Sequence, residues 1–131
     1  MSKLRLISAA VLAASLAIGT SVALAGTKPV EIGDNWFAKD TESTQTVKIY
    51  VNSRIKWKWV GFEEHNVRLK SAPDDVTRSK FNISSRIEGS RRSKKFTVRG
   101  TYKFYCSIHD DKWGEGYEAQ RVTVKVRRRP S

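Results

Sequence analysis

Three residues of this chain are both scarce and chemically capable. Cys106 is the only cysteine, and His65 and His109 are the only histidines among 131 residues. Cys106 and His109 form a Cys-x-x-His pair, a spacing that lets a thiolate and an imidazole from one turn converge on the same ion, and His65 joins them from a separate segment. One soft thiolate with two imidazoles is the trigonal donor set of copper electron-transfer sites, whereas structural zinc takes four strong ligands, so the set favours a single copper ion over zinc. Taken singly, each residue has a plainer explanation. A lone cysteine is usually a small buried hydrophobe, and a lone histidine is usually solvated or capping. What favours the metal is that all three fall where a β fold can bring them together.

The elements that must do so are strands. Short runs rich in Val, Ile, Tyr, Phe and Trp alternate with turn formers after Gly26, and no long helical period competes with them. Val30–Ile32 begins the series. Val47, Ile49 and Val51, the turn Asn52-Ser53, and then Ile55, Trp57 and Trp59 predict a hairpin with one buried face. Phe96 and Val98 predict a further strand, Arg99-Gly100 turns the chain, and Tyr102, Phe104 and Cys106 share one face of the next. Val122, Val124 and Val126 form the last. The stretch from Ser71 to Ser93 reads as a long polar connection holding an irregular strand or a short helical turn around Phe81, Ile83 and Ile87. The sum is an all-β, Greek-key β-sandwich of about seven or eight strands. His65 follows the Trp59 strand after Gly61-Phe62-Glu63-Glu64, so the sandwich can place it at the same end as the Cys106 loop.

Residues 1–25 read as a secretory signal peptide: Lys3 and Arg5, an apolar run from Leu6 to Ile18, and a small-x-small cleavage signature at Ala23-Leu24-Ala25. The apolar run is short for a membrane span. Residues 26–131 then form one domain, exported to a periplasmic or extracellular location. An unpaired thiol invites oxidation in such a compartment unless it is buried or holds a metal. The formal net charge is +12, and it falls by two if Lys3 and Arg5 leave with the leader. Basic residues cluster at Arg91–Lys95 and Lys125–Arg129, which predicts attraction to an acidic protein partner or an anionic envelope surface. No nucleic-acid motif is present, and nothing points beyond a monomer. Asn82-Ile83-Ser84 fits a glycosylation sequon, a short motif that arises readily by chance.

At the three scarce residues the sequence resembles the cupredoxins, the plastocyanin and pseudoazurin group of small blue-copper proteins. Gly100-Thr101-Tyr102-Lys103-Phe104-Tyr105-Cys106-Ser107-Ile108-His109 is similar to the family's Gly-x-Tyr-x-Phe-Tyr-Cys-x-x-His strand and ligand loop, and Trp59 followed by His65-Asn66-Val67 is similar to its aromatic strand and His-Asn-Val segment. The resemblance implies that His65 and His109 bind copper through imidazole nitrogen and Cys106 as a thiolate, and that Asn66 holds the ligand loops together by hydrogen bonds. It also implies that His109 lies nearest the surface. One departure stands out. The family usually has a methionine after the second histidine as a weak axial ligand, and the only methionine here is Met1. Gly116-Tyr117 most resembles the family's Gly-Met, which puts Tyr117 in the axial place, with Glu118 and Gln120 as rival oxygen donors. An apolar cap there raises the reduction potential and a hard oxygen lowers it.

The leading expectation is a single-electron carrier between redox partners, its copper cycling between Cu(I) and Cu(II), and not an enzyme: two histidines cannot supply the additional sites of copper oxidases, and no hydrolytic motif is present. Copper storage or delivery without redox turnover is the alternative. A metal-free module gripping an anionic polymer is the third.

Overall fold

The computed structural model describes residues 25–38, 44–109 and 120–131. The expected leader up to residue 24, together with Tyr117 and Glu118, lies outside these described residues. Alternating apolar and polar side chains produce eight strands: β1 (Thr27–Ile32), β2 (Thr44–Tyr50), β3 (Arg54–Trp59), β4 (His65–Ser71), β5 (Ile83–Arg86), β6 (Arg91–Lys95), β7 (Gly100–Tyr105) and β8 (Arg121–Arg127). They form a three-stranded sheet in the order β1-β3-β6 and a five-stranded sheet in the order β2-β8-β7-β4-β5. The pairs β1–β3 and β2–β8 are parallel. The other neighbours are antiparallel. This is the expected all-β Greek-key sandwich.

The expected hairpin is not formed. β2 and β3 follow one another in sequence but belong to opposite sheets, because the chain crosses the core at Val51–Ser53. Alternation says only that each strand has one buried face, and two strands facing each other across a core satisfy it as well as two strands side by side. Asn52 makes the bend in a left-handed conformation, φ 70°, which asparagine tolerates better than most residues. Its N–H donates to the Phe96 carbonyl (2.7 Å), and the Phe96 N–H donates to the Ser53 carbonyl (2.9 Å). Phe96 is therefore a fully buried anchor for this arch, and the strand expected at Phe96–Val98 ends instead at Lys95.

The basic run Arg91–Lys95 is β6 itself, the edge of the three-stranded sheet, with four of its five residues exposed. Lysine and arginine on an exposed edge oppose pairing with a second chain, which gives the cluster a structural purpose besides its charge. Between β4 and β6 the structure has both features expected there: a 3-10 turn at Arg78–Phe81 and the short strand β5. Asn82 of the sequon uses its side-chain oxygen to accept from the Leu69 N–H (2.9 Å), beside the irregularity in the β4–β7 pairing.

Inward faces of both sheets make one core. Trp57 of β3 packs edge-on against Phe104 of β7 (centroids 5.2 Å apart) and Phe37 (5.9 Å), so one large ring joins the two sheets. Five strand ends meet at one end of the sandwich. Ile32 closes β1 opposite Trp59 of β3, the Val60 and Gly61 N–H groups both donate to the Ile32 carbonyl, and Tyr105 closes β7 opposite Arg121, which opens β8. β4 starts there too, with the Trp59 indole N–H donating to the His65 carbonyl at 2.8 Å.

Candidate metal centre

His65 is the first residue of β4, Cys106 follows β7 directly, and His109 ends the turn after it, with its N–H directed at the Cys106 carbonyl (3.3 Å). His65 and Cys106 are fully buried. The three side chains converge: His65 Nδ1 and His109 Nδ1 are 3.1 Å apart, and Cys106 Sγ lies 3.5 Å from His109 Nδ1 and 3.9 Å from His65 Nδ1. The centre of this triangle is about 2 Å from each corner, which matches bonds of roughly 2.0–2.3 Å from a divalent transition metal to imidazole nitrogen and thiolate sulfur.

The far side of each imidazole is equally ordered. His65 Nε2 lies 3.0 Å from Asp34 Oδ1, and His109 Nε2 lies 3.0 Å from Glu63 Oε2. A carboxylate only accepts, so each ring keeps its proton on Nε2 and turns a lone pair on Nδ1 toward the triangle, the tautomer that a metal requires. The loop before His65 is built for this approach. A Cβ on Gly61 would stand 2.4 Å from Asp34 Oδ1 and 2.9 Å from His65 Nε2, so only glycine fits between them. The Glu63 N–H also donates to Asp34 Oδ1 (2.9 Å). That bond, with the His65 contact, holds the Asp34 carboxyl below its ordinary pKa against a smaller opposing effect of burial.

Burial by itself pushes the Cys106 thiol up. Contact with the His65 imidazole, the Asn66 N–H, the His109 imidazole and the Ile108 N–H outweighs it and brings the thiol down to about 7, so the pocket already favours the thiolate that a metal binds. Burial likewise opposes a proton on His65, but its bonds to Cys106 and Asp34 leave the imidazole above its usual value. Asn66 spans the two ligand segments, its Nδ2 donating to Ser107 Oγ (2.7 Å) and its Oδ1 accepting from the Ser107 N–H (2.8 Å).

The structure thus brings together His65, Cys106 and His109, puts Asn66 between their loops, and adds a fully buried Gln120 immediately before β8. Asp34 and Glu63 escaped the sequence reading. Their signal is faint: a carboxylate next to the single glycine of the turn after β1, and another two residues before a histidine.

A model of copper-binding proteins of the plastocyanin/azurin family matches residues 36–124, a span that holds all three converging residues. Solved structures with the same fold include a methionine-to-glutamine variant of amicyanin with Cu(I), 20% identical over 77% of this chain and 82% of that one, TM-score 0.58. A reduced tryptophan-to-tyrosine variant of amicyanin is 18% identical over 80% and 86%, TM-score 0.59. Oxidized plastocyanin from Dryopteris crassirhizoma is 22% identical over 76% and 100%, TM-score 0.54. No curated protein sequence matches the chain.

Proposed function

Since this chain belongs to the plastocyanin/azurin family of copper-binding proteins, a cupredoxin with copper as its cofactor, we propose that it carries single electrons between redox proteins, with His65, Cys106 and His109 holding the metal. The observation that carries this reading is the convergence of two Nδ1 lone pairs and a low-pKa thiol on one point, with both Nε2 protons occupied elsewhere. Copper bound there supplies a one-electron couple between Cu(I) and Cu(II).

The chain's own part is to hold its donors still and to provide a route. His65 is locked in a strand and Cys106 is tied to Asn66 through Ser107, so the donor set is fixed before the metal arrives and little has to move when the charge changes. The full burial of His65 and Cys106 shields that side of the site from solvent. The His109 side chain is 24% exposed, and the exposed Phe62 and Ile108 each stand one residue from a member of the Glu63–His109 pair. That apolar rim suits brief docking of a partner over the imidazole edge. The basic edge strand β6, whose Arg91 end pairs with Lys58 beside the metal end, supplies a positive field that steers a partner with an acidic face, so association slows as salt rises. Residues 1–25 are a leader in this reading, and the domain 26–131 works outside the cytoplasm as a monomer without enzymatic turnover. No helix among the described residues is long and apolar enough to cross a membrane.

The test is spectroscopic and electrochemical. Chain 26–131 loaded with Cu(II) is expected to show an intense thiolate-to-copper absorption band, to lose it in Cys106→Ser, and to cycle reversibly at a fixed potential. A colourless protein that hands Cu(I) to an acceptor without cycling would make it a delivery protein instead.

A further inference from the structure

A side-chain amide has an oxygen that accepts and a nitrogen that donates, and its partners tell the two apart. Gln120 is fully buried. One end of its amide faces two backbone carbonyls, Gly33 O at 2.5 Å and Trp36 O at 3.2 Å. Carbonyls only accept, so that end is the nitrogen and both of its protons are used. The oxygen is left facing the other way, into the cluster, 3.1 Å from His109 Nδ1.

This orientation is enforced from three directions. The Gln120 carbonyl accepts from the Cys106 N–H (3.0 Å), which ties the start of β8 to a converging residue. The turn that offers the two carbonyls is closed by Gly33 N–H to Trp36 O (2.9 Å) and by the Ile32–Phe37 bridge. Gly33 itself permits no side chain, because a Cβ there would lie 2.2 Å from the Trp36 ring folded over it. The cradle is specific for an amide: a methionine or leucine at 120 would leave both carbonyls without these donors.

The oxygen end has no such settled partner. In the neutral ring the His109 proton is on Nε2, facing Glu63, and Nδ1 is an acceptor. Two lone pairs, Oε1 and Nδ1, then face each other at 3.1 Å, and the His65 Nδ1 lone pair points at the same place. A cation resolves all three at once. Resting on the copper reading above, we propose that the amide oxygen of Gln120 is the fourth donor to the copper, taking the role that methionine has in the resemblance and that Tyr117 was expected to fill. An amide oxygen is a harder donor than a thioether and favours Cu(II) over Cu(I). The protein is accordingly a carrier poised at a lower potential than a methionine-ligated relative.

The experiment adds Cu(II) to the metal-free chain 26–131 and to its Gln120→Met and Gln120→Leu variants. Expected is a thiolate-to-copper band in all three, with a higher reduction potential and an altered copper hyperfine pattern in both variants. Unchanged potential and hyperfine pattern, with the band present, overturn the assignment and leave the three-residue site standing. Absence of the band from the unsubstituted chain is the separate failure of the copper reading. A measurement that depends on no variant folding uses Co(II) in the unsubstituted protein: the γ-methylene protons of Gln120 are expected to be displaced far from their diamagnetic positions by contact with the metal. Ordinary positions for those protons also overturn the assignment.

Discussion

The two histidines make the same pair of contacts from opposite situations. Each turns Nδ1 inward and gives Nε2 to a carboxylate, yet the His65 side chain is fully buried on a strand, while that of His109 is 24% exposed on a turn. Their carboxylates differ in the same sense, Asp34 being 33% exposed and Glu63 62%. The site therefore has a fixed half, made by the sandwich, and an accessible half, made by a short connection. The first sets what the metal feels, and the second sets what can reach it.

The comparison breaks most openly on deletion of each ring. His65→Gly and His109→Gly are both expected to abolish the visible band of the copper-loaded protein, and added free imidazole is expected to restore it only in His109→Gly, where the vacated ring had an opening to solvent. Equal rescue in both variants, read by absorption, would erase the distinction. Next in size is the scaffold beneath the fixed half. Trp57→Ala, which removes a buried ring lying between Phe37 and Phe104, is expected to cost about 3–5 kcal/mol in denaturant unfolding of the metal-free protein.

The carboxylates offer a finer test. Asp34→Asn is expected to raise the reduction potential, since a neutral amide supports the positive charge of the metal that His65 binds less well. Glu63→Gln is expected to shift it less, because an exposed pair contributes about 0–1 kcal/mol and is screened by salt. Voltammetry of both variants at low and high ionic strength separates them, with the Glu63 effect fading first.

The smallest effect is a control far from either ring. Tyr102 is buried and its hydroxyl donates to the Val98 carbonyl (2.7 Å), and burial raises its pKa above the ordinary value of 10.0. The unfolded chain therefore ionises first. The stability from this group is whole below about pH 10 and is lost as pH rises through the folded value. Tyr102→Phe is expected to flatten that alkaline decline, to cost about 1 kcal/mol at neutral pH, and to leave the copper spectrum untouched.

Much of this was legible because period-two patterning and rare residues are local signals. Trp57 and Trp59 mark a strand, and Cys106 and His109 mark a turn, whatever surrounds them. Pairing partners are not local. The Asn52-Ser53 bend looks the same whether it closes a hairpin or carries the chain across a core, and the run Arg91–Lys95 shows charge but not that it lies on an edge. The same limit applies to the site. His65, Cys106 and His109 were identified by chemistry and resemblance, whereas Asp34, Glu63 and the orientation of Gln120 depend on which loops the topology stacks at one end. Gln120 stood in the sequence only as one of three oxygen donors, because nothing there shows that Gly33 and Trp36 take its nitrogen.

The Gln120–Gly33 hydrogen bond joins positions 87 apart in the chain. Closing so long a loop costs entropy before any contact repays it, and folds dominated by such contacts form slowly. The donors are distributed so that no short stretch of chain holds the full set: the first sheet must finish before Gly33 is in place, and β8 must dock before Gln120 is. A chain in which β4 has not yet paired with β7 offers only Cys106 and His109 together to a stray ion. The Gln120 donor arrives only when β8 docks, so the hyperfine pattern of copper added during refolding, and not the band itself, is expected to report closure of this longest loop.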